Sequence, residues 1–189
     1  MADFSAAPEG DFILGTVEDD NIFGSPEFDI LEGLEGSDQI FGNEGFNFLG
    51  GGEGDDLIYG GSENDIIVGD AGNDTIYASE GNNDVFGGEG DDTIYTGSGD
   101  DLIYGGPGSD TIWLGGGQDI VVLAEGEGFD TVNNFQLGQT TFSVSAPSTL
   151  SFADGVNGAE IYQGEDLLAV VSSQSASVFE TNAADIFVA

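Results

Sequence analysis

From Gly15 to Val122 one position in nine is aliphatic: Ile22, Leu31, Ile40, Leu49, Ile58, Ile67, Ile76, Val85, Ile94, Ile103, Ile112 and Val121. Two residues before each stands an acid or its amide: Asp20, Asp29, Asp38, Asn47, Asp56, Asp65, Asp74, Asn83, Asp92, Asp101, Asp110 and Asp119. The stretch divides into twelve nine-residue units without insertion. Position 1 is Gly in nine of them, the exceptions being Ala78, Thr96 and Leu114, and position 4 is Gly from Gly36 onward except at Glu63. The Gly-rich half of each unit permits positive φ and a tight turn. The other half predicts a strand of three or four residues with one side chain inward, because side chains alternate along a strand. So short a strand cannot bury its face alone, so stacked units must share a core. Two units make a coil, with one strand on each of two facing sheets. Six coils spaced by about 4.8 Å predict a roll about 30 Å long.

The flanks follow the repeat less closely. A degenerate unit, Ala6 to Leu14, has Asp11 and Ile13 in phase. After Val122 the phase slips by two residues, and Asp130-Thr131-Val132 looks like a last partial unit. The expected division is an N-terminal cap at 1–14, the roll at 15–122 and a C-terminal β cap at 123–189. The cap is expected to contain short antiparallel strands at Thr141–Val144, Leu150–Phe152, Glu160–Tyr162, Leu167–Val171 and Ser177–Phe179, with turns at Asp154-Gly155, Asn157-Gly158 and Gly164.

Charge narrows the chemistry. The chain has 189 residues, 37 acidic side chains and no Lys, Arg, His or Cys, for a net charge of −37. It cannot neutralise a phosphate backbone, so no nucleic-acid partner is expected. No stretch approaches the roughly 20 apolar residues of a membrane span, so no membrane insertion is expected. Disulfides, thiolate or imidazole metal sites and His-based catalysis are excluded. Hydrophobic residues at 39% exclude simple acidic disorder. The component that would balance these charges is a multivalent cation.

The best units read GGEGDDLIY (Gly51–Tyr59), GGEGDDTIY (Gly87–Tyr95) and GGPGSDTIW (Gly105–Trp113). They resemble the nonapeptide of RTX (hemolysin-type) calcium-binding proteins, over about two-thirds of the chain. The resemblance implies an all-β fold, a right-handed parallel β-roll that binds Ca²⁺, and a protein secreted by a type I system. Ca²⁺ takes six to eight oxygen ligands. Two position-6 carboxylates and four turn carbonyls supply six; the family draws the carbonyls from positions 1 and 3 of one unit and 2 and 4 of the unit stacked on it.

The odd units, which begin at Gly15, Gly33 and every eighteenth residue after, carry the stronger ladder. Carried over residue by residue, it comprises Asp38, Asp56, Asp74, Asp92 and Asp110. The carbonyls come from Gly33, Glu35, Gly51, Gly52, Glu53, Gly54, Gly69, Asp70, Ala71, Gly72, Gly87, Gly88, Glu89, Gly90, Gly106 and Gly108. The even ladder is weaker, because Asn47 and Asn83 lack charge. It retains Asp65 and a site between Asp101 and Asp119 with Thr96, Ser98, Gly115 and Gly117. About five to eight ions are expected in all. The first two units, with Pro26, Glu27 and Phe28 in the turn, are expected to bind none.

The outward positions are unusually apolar. Phe23, Phe41, Tyr59, Tyr77, Tyr95 and Trp113 form an aromatic stripe beside Thr75, Thr93 and Thr111. Stacking between strands, a surface for self-association, and binding of ice or carbohydrate are all open for this stripe. The last residues, Asp185 to Ala189, resemble the acidic-then-apolar C-terminal signal that RTX proteins present to type I secretion machinery. A chain that starts at Met1, lacks a Sec-type leader and ends on that signal reads as a whole secreted protein without a catalytic domain. The expected function is therefore a secreted, extracellular or cell-surface structural protein that folds on calcium and self-associates. The alternative is an adhesin-like binder. No catalytic residues are expected.

Overall fold

A computed structural model describes residues 2–5, 10, 12–125 and 128–189. Asp11 and most of the degenerate unit starting at Ala6 lie outside them. The strands run β1 (Asp3–Ser5), β2 (Phe12–Leu14), β3 (Asn21–Phe23), β4 (Ile30–Glu35), β5 (Gln39–Phe41), β6 (Phe48–Glu53) and β7 (Leu57–Gly61). They continue through β8 (Ile66–Ala71), β9 (Thr75–Ser79), β10 (Asp84–Glu89), β11 (Thr93–Tyr95), β12 (Leu102–Tyr104), β13 (Thr111–Trp113) and β14 (Ile120–Leu123). After the repeats come β15 (Asp130–Asn133), β16 (Thr141–Val144), β17 (Leu150–Asp154), β18 (Gly158–Gln163) and β19 (Asp166–Ser172). Helix α1 (Ala176–Ile186) and β20 (Phe187–Val188) end the chain.

Odd units feed an eleven-stranded sheet, β1-β3-β5-β7-β9-β11-β13-β15-β19-β18-β17, and even units a nine-stranded sheet, β2-β4-β6-β8-β10-β12-β14-β16-β20. Within the repeats every pairing is parallel and in register at a shift of eighteen residues, as Ile58↔Ile76 and Ile67↔Val85 show. The fold is thus the parallel β-roll. The position-8 residues of both sheets are buried and form the single core between them. One glycine column explains why the turns can stack so closely. Gly54, Gly72, Gly90 and Gly108 all have positive φ, and a Cβ on any of them would collide with the carbonyl oxygen of the glycine one coil below.

The parallel stack also extends past the twelve units. β15 pairs with β13, and β16 pairs with β14. Thr141–Val144, expected as an antiparallel strand, is parallel instead. Its Thr141 N–H donates to the Asp119 carbonyl at 2.8 Å, as first strand residues do throughout the roll. The antiparallel expectation holds for β17-β18-β19, with turns around Gly155 and Gly164.

Ser177–Phe179, expected as a strand, lies in α1. Three residues cannot separate a period of 2 from one of 3.6, and the flanking Ala176, Ala183 and Ala184 favour helix. The helix closes the end of the core: Phe179 is fully buried, with its ring 5.2 Å from Phe135 and 5.9 Å from Phe152. No helix among the described residues is long and apolar enough to cross a membrane.

Candidate metal centre

All the position-6 residues are buried, and those from Asp38 onward reach back one coil. On the odd edge Asp38 Oδ1 accepts the Asp20 N–H at 2.7 Å, Asp56 that of Asp38 at 2.7 Å, and Asp74 that of Asp56 at 2.8 Å. Asp92 and Asp110 continue the ladder at 2.8 and 2.9 Å. One carboxylate oxygen therefore stitches coils together. The other is left over. Oδ2 of Asp38, Asp56, Asp74, Asp92 and Asp110 is buried without a hydrogen-bond partner, as is Oδ2 of Asp65 and Asp101 on the even edge.

These orphaned atoms share a definite environment. A Cβ on Gly33, Gly51, Gly69 or Gly87 would collide with Oδ2 of the same unit's Asp and crowd the position-1 carbonyl of the next coil. Gly105 leaves the same room beside Asp110. The absent Cβ atoms thus leave a cradle in which a carboxylate oxygen and a backbone carbonyl oxygen meet. At positions 2 and 4 the stacked turns align carbonyls too: Gly52 sits on the Leu34 oxygen, Gly88 on that of Asp70, and Gly106 on that of Gly88. The position-3 carbonyls of Glu53, Ala71 and Glu89 accept the N–H of Gly36, Gly54 and Gly72 at 2.7–2.8 Å. A second lone pair on each remains. The donor set is all hard oxygen, which suits Ca²⁺. No cluster of three or more acidic side chains is found among the described residues, so any ion would depend on carbonyls for most of its ligands.

Burial without a partner raises the carboxyls. Asp56, Asp65, Asp92 and Asp101 are pushed up to about 7 and Asp74 to about 6, by desolvation first. The N–H from the preceding coil offsets only part of this, and neighbouring acidic charges add to the rise at Asp56, Asp74 and Asp92. Asp38, Asp110 and Asp119 rise for the same leading reason.

In two groups of position-6 residues the second side-chain polar atom has a hydrogen-bond partner in its own turn. Asp20 Oδ2 accepts both the N–H and the hydroxyl of Thr16 at 2.7 Å. Burial raises the Asp20 carboxyl, but the bonds from Thr16 and the Ala2 N–H outweigh it and leave it below the ordinary value. Ser25 serves Asp29 in the same way, at 2.5 and 2.9 Å. Asn47 and Asn83 instead turn their amide N–H onto their own turn carbonyls, Gly45 at 2.8 Å and Gly81 at 3.2 Å. Among the even-edge carbonyl residues, Gly115 donates its N–H to the Thr96 hydroxyl at 3.0 Å, and Ser98 bridges Glu80 and Gly116.

Sequence reasoning missed the roles of Thr16 and Ser25. It also missed a second ladder at position 5, which runs the other way. Asp19, Asp55, Asn73 and Asp91 accept the N–H of the residue eighteen places later, at 2.8–3.1 Å. The recurrence of Asp, Asn and Ser at that position was its signal.

The family model of the RTX calcium-binding nonapeptide repeat (4 copies) matches three consecutive stretches, residues 14–49, 50–85 and 86–121. These cover more than half of the chain, and the chain belongs to that repeat family. Its solenoid is a structural calcium-binding domain. Among solved structures, the extracellular lipase LipA from Serratia marcescens is similar, at 14% identity and a TM-score of 0.32, over 97% of this chain and 40% of the lipase. The chain thus spans less than half of that lipase's length. No curated protein matches the chain.

Proposed function

We propose that this is a secreted structural protein whose β-roll folds on calcium and then self-associates, at the cell surface or in an extracellular matrix or filament. The observation that carries the reading is the column of five buried, unpartnered Oδ2 atoms in a chain without a cationic side chain. The residues that would hold the ions are Asp38, Asp56, Asp74, Asp92 and Asp110 with the odd-edge carbonyls named above. Asp65, and the pair Asp101 and Asp119 with Thr96, Ser98, Gly115 and Gly117, would serve the even edge. Bound calcium supplies the positive charge that lets like-charged coils stack, so its binding free energy is folding free energy. The chain's own part is geometric. Oδ1 fixes each Asp against the coil below, and glycine at position 1 keeps room beside Oδ2.

Membership in the RTX family supports export through type I secretion machinery, since proteins with these repeats are typical clients. A chain kept expanded by its own charge where calcium is scarce would suit such export. The division into a cap at 1–14, a roll at 15–122 and a C-terminal segment at 123–189 belongs to this reading, as does the absence of a catalytic role.

Self-association is supported by exposed apolar side chains such as Ile120, Phe129, Leu137 and Val188. The aromatic stripe lends less to the adhesin alternative. Its six rings stack nearly parallel, with centroids 4.7–5.1 Å apart from Phe23 to Tyr95 and 6.2 Å from Tyr95 to Trp113. Each inner ring has both faces covered by its neighbours, so a sugar cannot stack on them.

Light scattering through a calcium titration of chelated protein tests the proposal. The expected course is a fall in hydrodynamic size as the roll closes, then growth as copies associate. A chelated chain that is already compact at pH 8 overturns calcium-coupled folding. A size that falls and stays monomeric overturns self-association.

A further inference from the structure

Every unit from Gly15 to Val122 carries a side chain at position 9 except the one ending in Gly50. On the outer face of the nine-stranded sheet, Gly50 lies between Glu32 and Val68 in the stack. The missing side chain opens a cavity of about 390 Å³, walled by Ile30, Phe48, Ile66 and Val68. That volume lies in the range of small-ligand sites. Glu32 leans over the gap: a Cβ on Gly50 would sit 2.5 Å from its carboxylate oxygen. Asp70 completes the acidic end of the same cavity. At the open side Phe48 is 40% exposed and meets the exposed rings of Phe28 and Phe46 edge-on. The site is therefore an apolar slot ending in a half-buried carboxylate, beside an aromatic ring.

We propose that this notch receives a Lys or Arg side chain of a basic partner protein. The methylene stem lies along Ile30, Ile66 and Val68, as long cationic side chains do on apolar surface. The charged head reaches Glu32 and Asp70, and the ring of Phe48 adds a cation–π contact. Charge complementarity selects this occupant. A second copy of the chain brings another −37 charges and no Lys, Arg or His to insert. The surface is separate from the calcium-dependent association proposed above, and its test uses calcium-loaded protein throughout.

The test is an NMR titration of the isotope-labelled full chain with a lysine-containing hexapeptide and with the same peptide acetylated at lysine. The expected result is amide shifts centred on Ile30, Phe48 and Ile66 for the free lysine peptide only. Gly50→Val should weaken binding at least tenfold by filling the slot. Gly50 has no positive φ, its Cβ would meet only the flexible end of Glu32, and valine already occupies the equivalent place at Val68. Glu32→Gln should weaken binding to a similar degree, and it decides the matter if the valine variant folds poorly. Shifts spread evenly over the acidic surface would overturn the proposal, as would equal binding by the acetylated peptide or undiminished binding by the variants. So would a calcium-loaded dimer, seen by sedimentation, that Gly50→Val abolishes, since a second copy would then be the occupant.

Discussion

The two turn edges of the roll are built from the same nine-residue unit and differ in how they treat a buried carboxylate. The odd edge runs from Asp38 to Asp110 through five coils, each with an orphaned Oδ2. The even edge alternates: Asn47 and Asn83 satisfy themselves with turn carbonyls, and between and beyond them Asp65 and Asp101 are left unsatisfied. At the N-terminal end, Thr16 and Ser25 satisfy Asp20 and Asp29. The roll therefore closes its turns with a hydroxyl, with an amide, or with a carboxylate oxygen left unpaired. On the function proposed above, a cation would complete the third kind and make folding conditional on it. The odd edge would then carry most of that conditionality, and the N-terminal coil would stand without an ion.

The largest expected effect comes from pH. Folded-state carboxyls that lie at about 6–7, above the ordinary value of 3.8, favour the folded state when protonated. Their contribution in the absence of metal is fully present below about pH 4 and is lost as pH rises through 6 to 7. Chelated protein should thus be compact and β-rich by circular dichroism at pH 5 and expanded at pH 8. With calcium present the trend reverses, because protons compete for the same oxygens. A chelated chain equally ordered at both pH values would contradict the raised carboxyls.

A smaller effect separates the edges by exchange of one residue. Asp74→Asn copies Asn83 and should let the amide reach its own turn carbonyl. Urea unfolding in chelator at pH 5, where the chelated roll is compact, should then show a gain of about 1 kcal/mol, and unfolding in calcium a loss of similar or larger size. Asn83→Asp should do the opposite in each condition. Matching signs for the two variants would mean that the edges do not differ as described. The smallest effect lies at the N-terminal end. Thr16→Ala or Ser25→Ala should cost about 1 kcal/mol each, by the same amount with and without calcium. A calcium-dependent cost would place these units among the metal-dependent ones.

Much of this was legible from one chain. The position-8 aliphatics and position-6 acids announced the roll, and every odd-ladder Asp named from spacing proved to hold a buried, unpartnered oxygen. Thr16 and Ser25 were not legible, because a hydroxyl at position 2 gains meaning only when the turn brings it to the carboxylate four residues on. The C-terminal helix was not legible because Ser177–Phe179 is too short to show its period.

The nine-residue period was enough to specify parallel stacking, the core and the acid ladders, since each is a local pattern repeated in phase. Only the tertiary structure decided which carboxylates are satisfied, because satisfaction depends on atoms from the same turn and from the coil below. It also decided that α1 rather than a strand closes the core, where the width between the sheets must be filled by Phe135, Phe142 and Phe179. The notch at Gly50 is of the same kind. One glycine in a column is only an exception in the sequence, and it becomes a cavity when Glu32, Phe48 and Val68 stand around it.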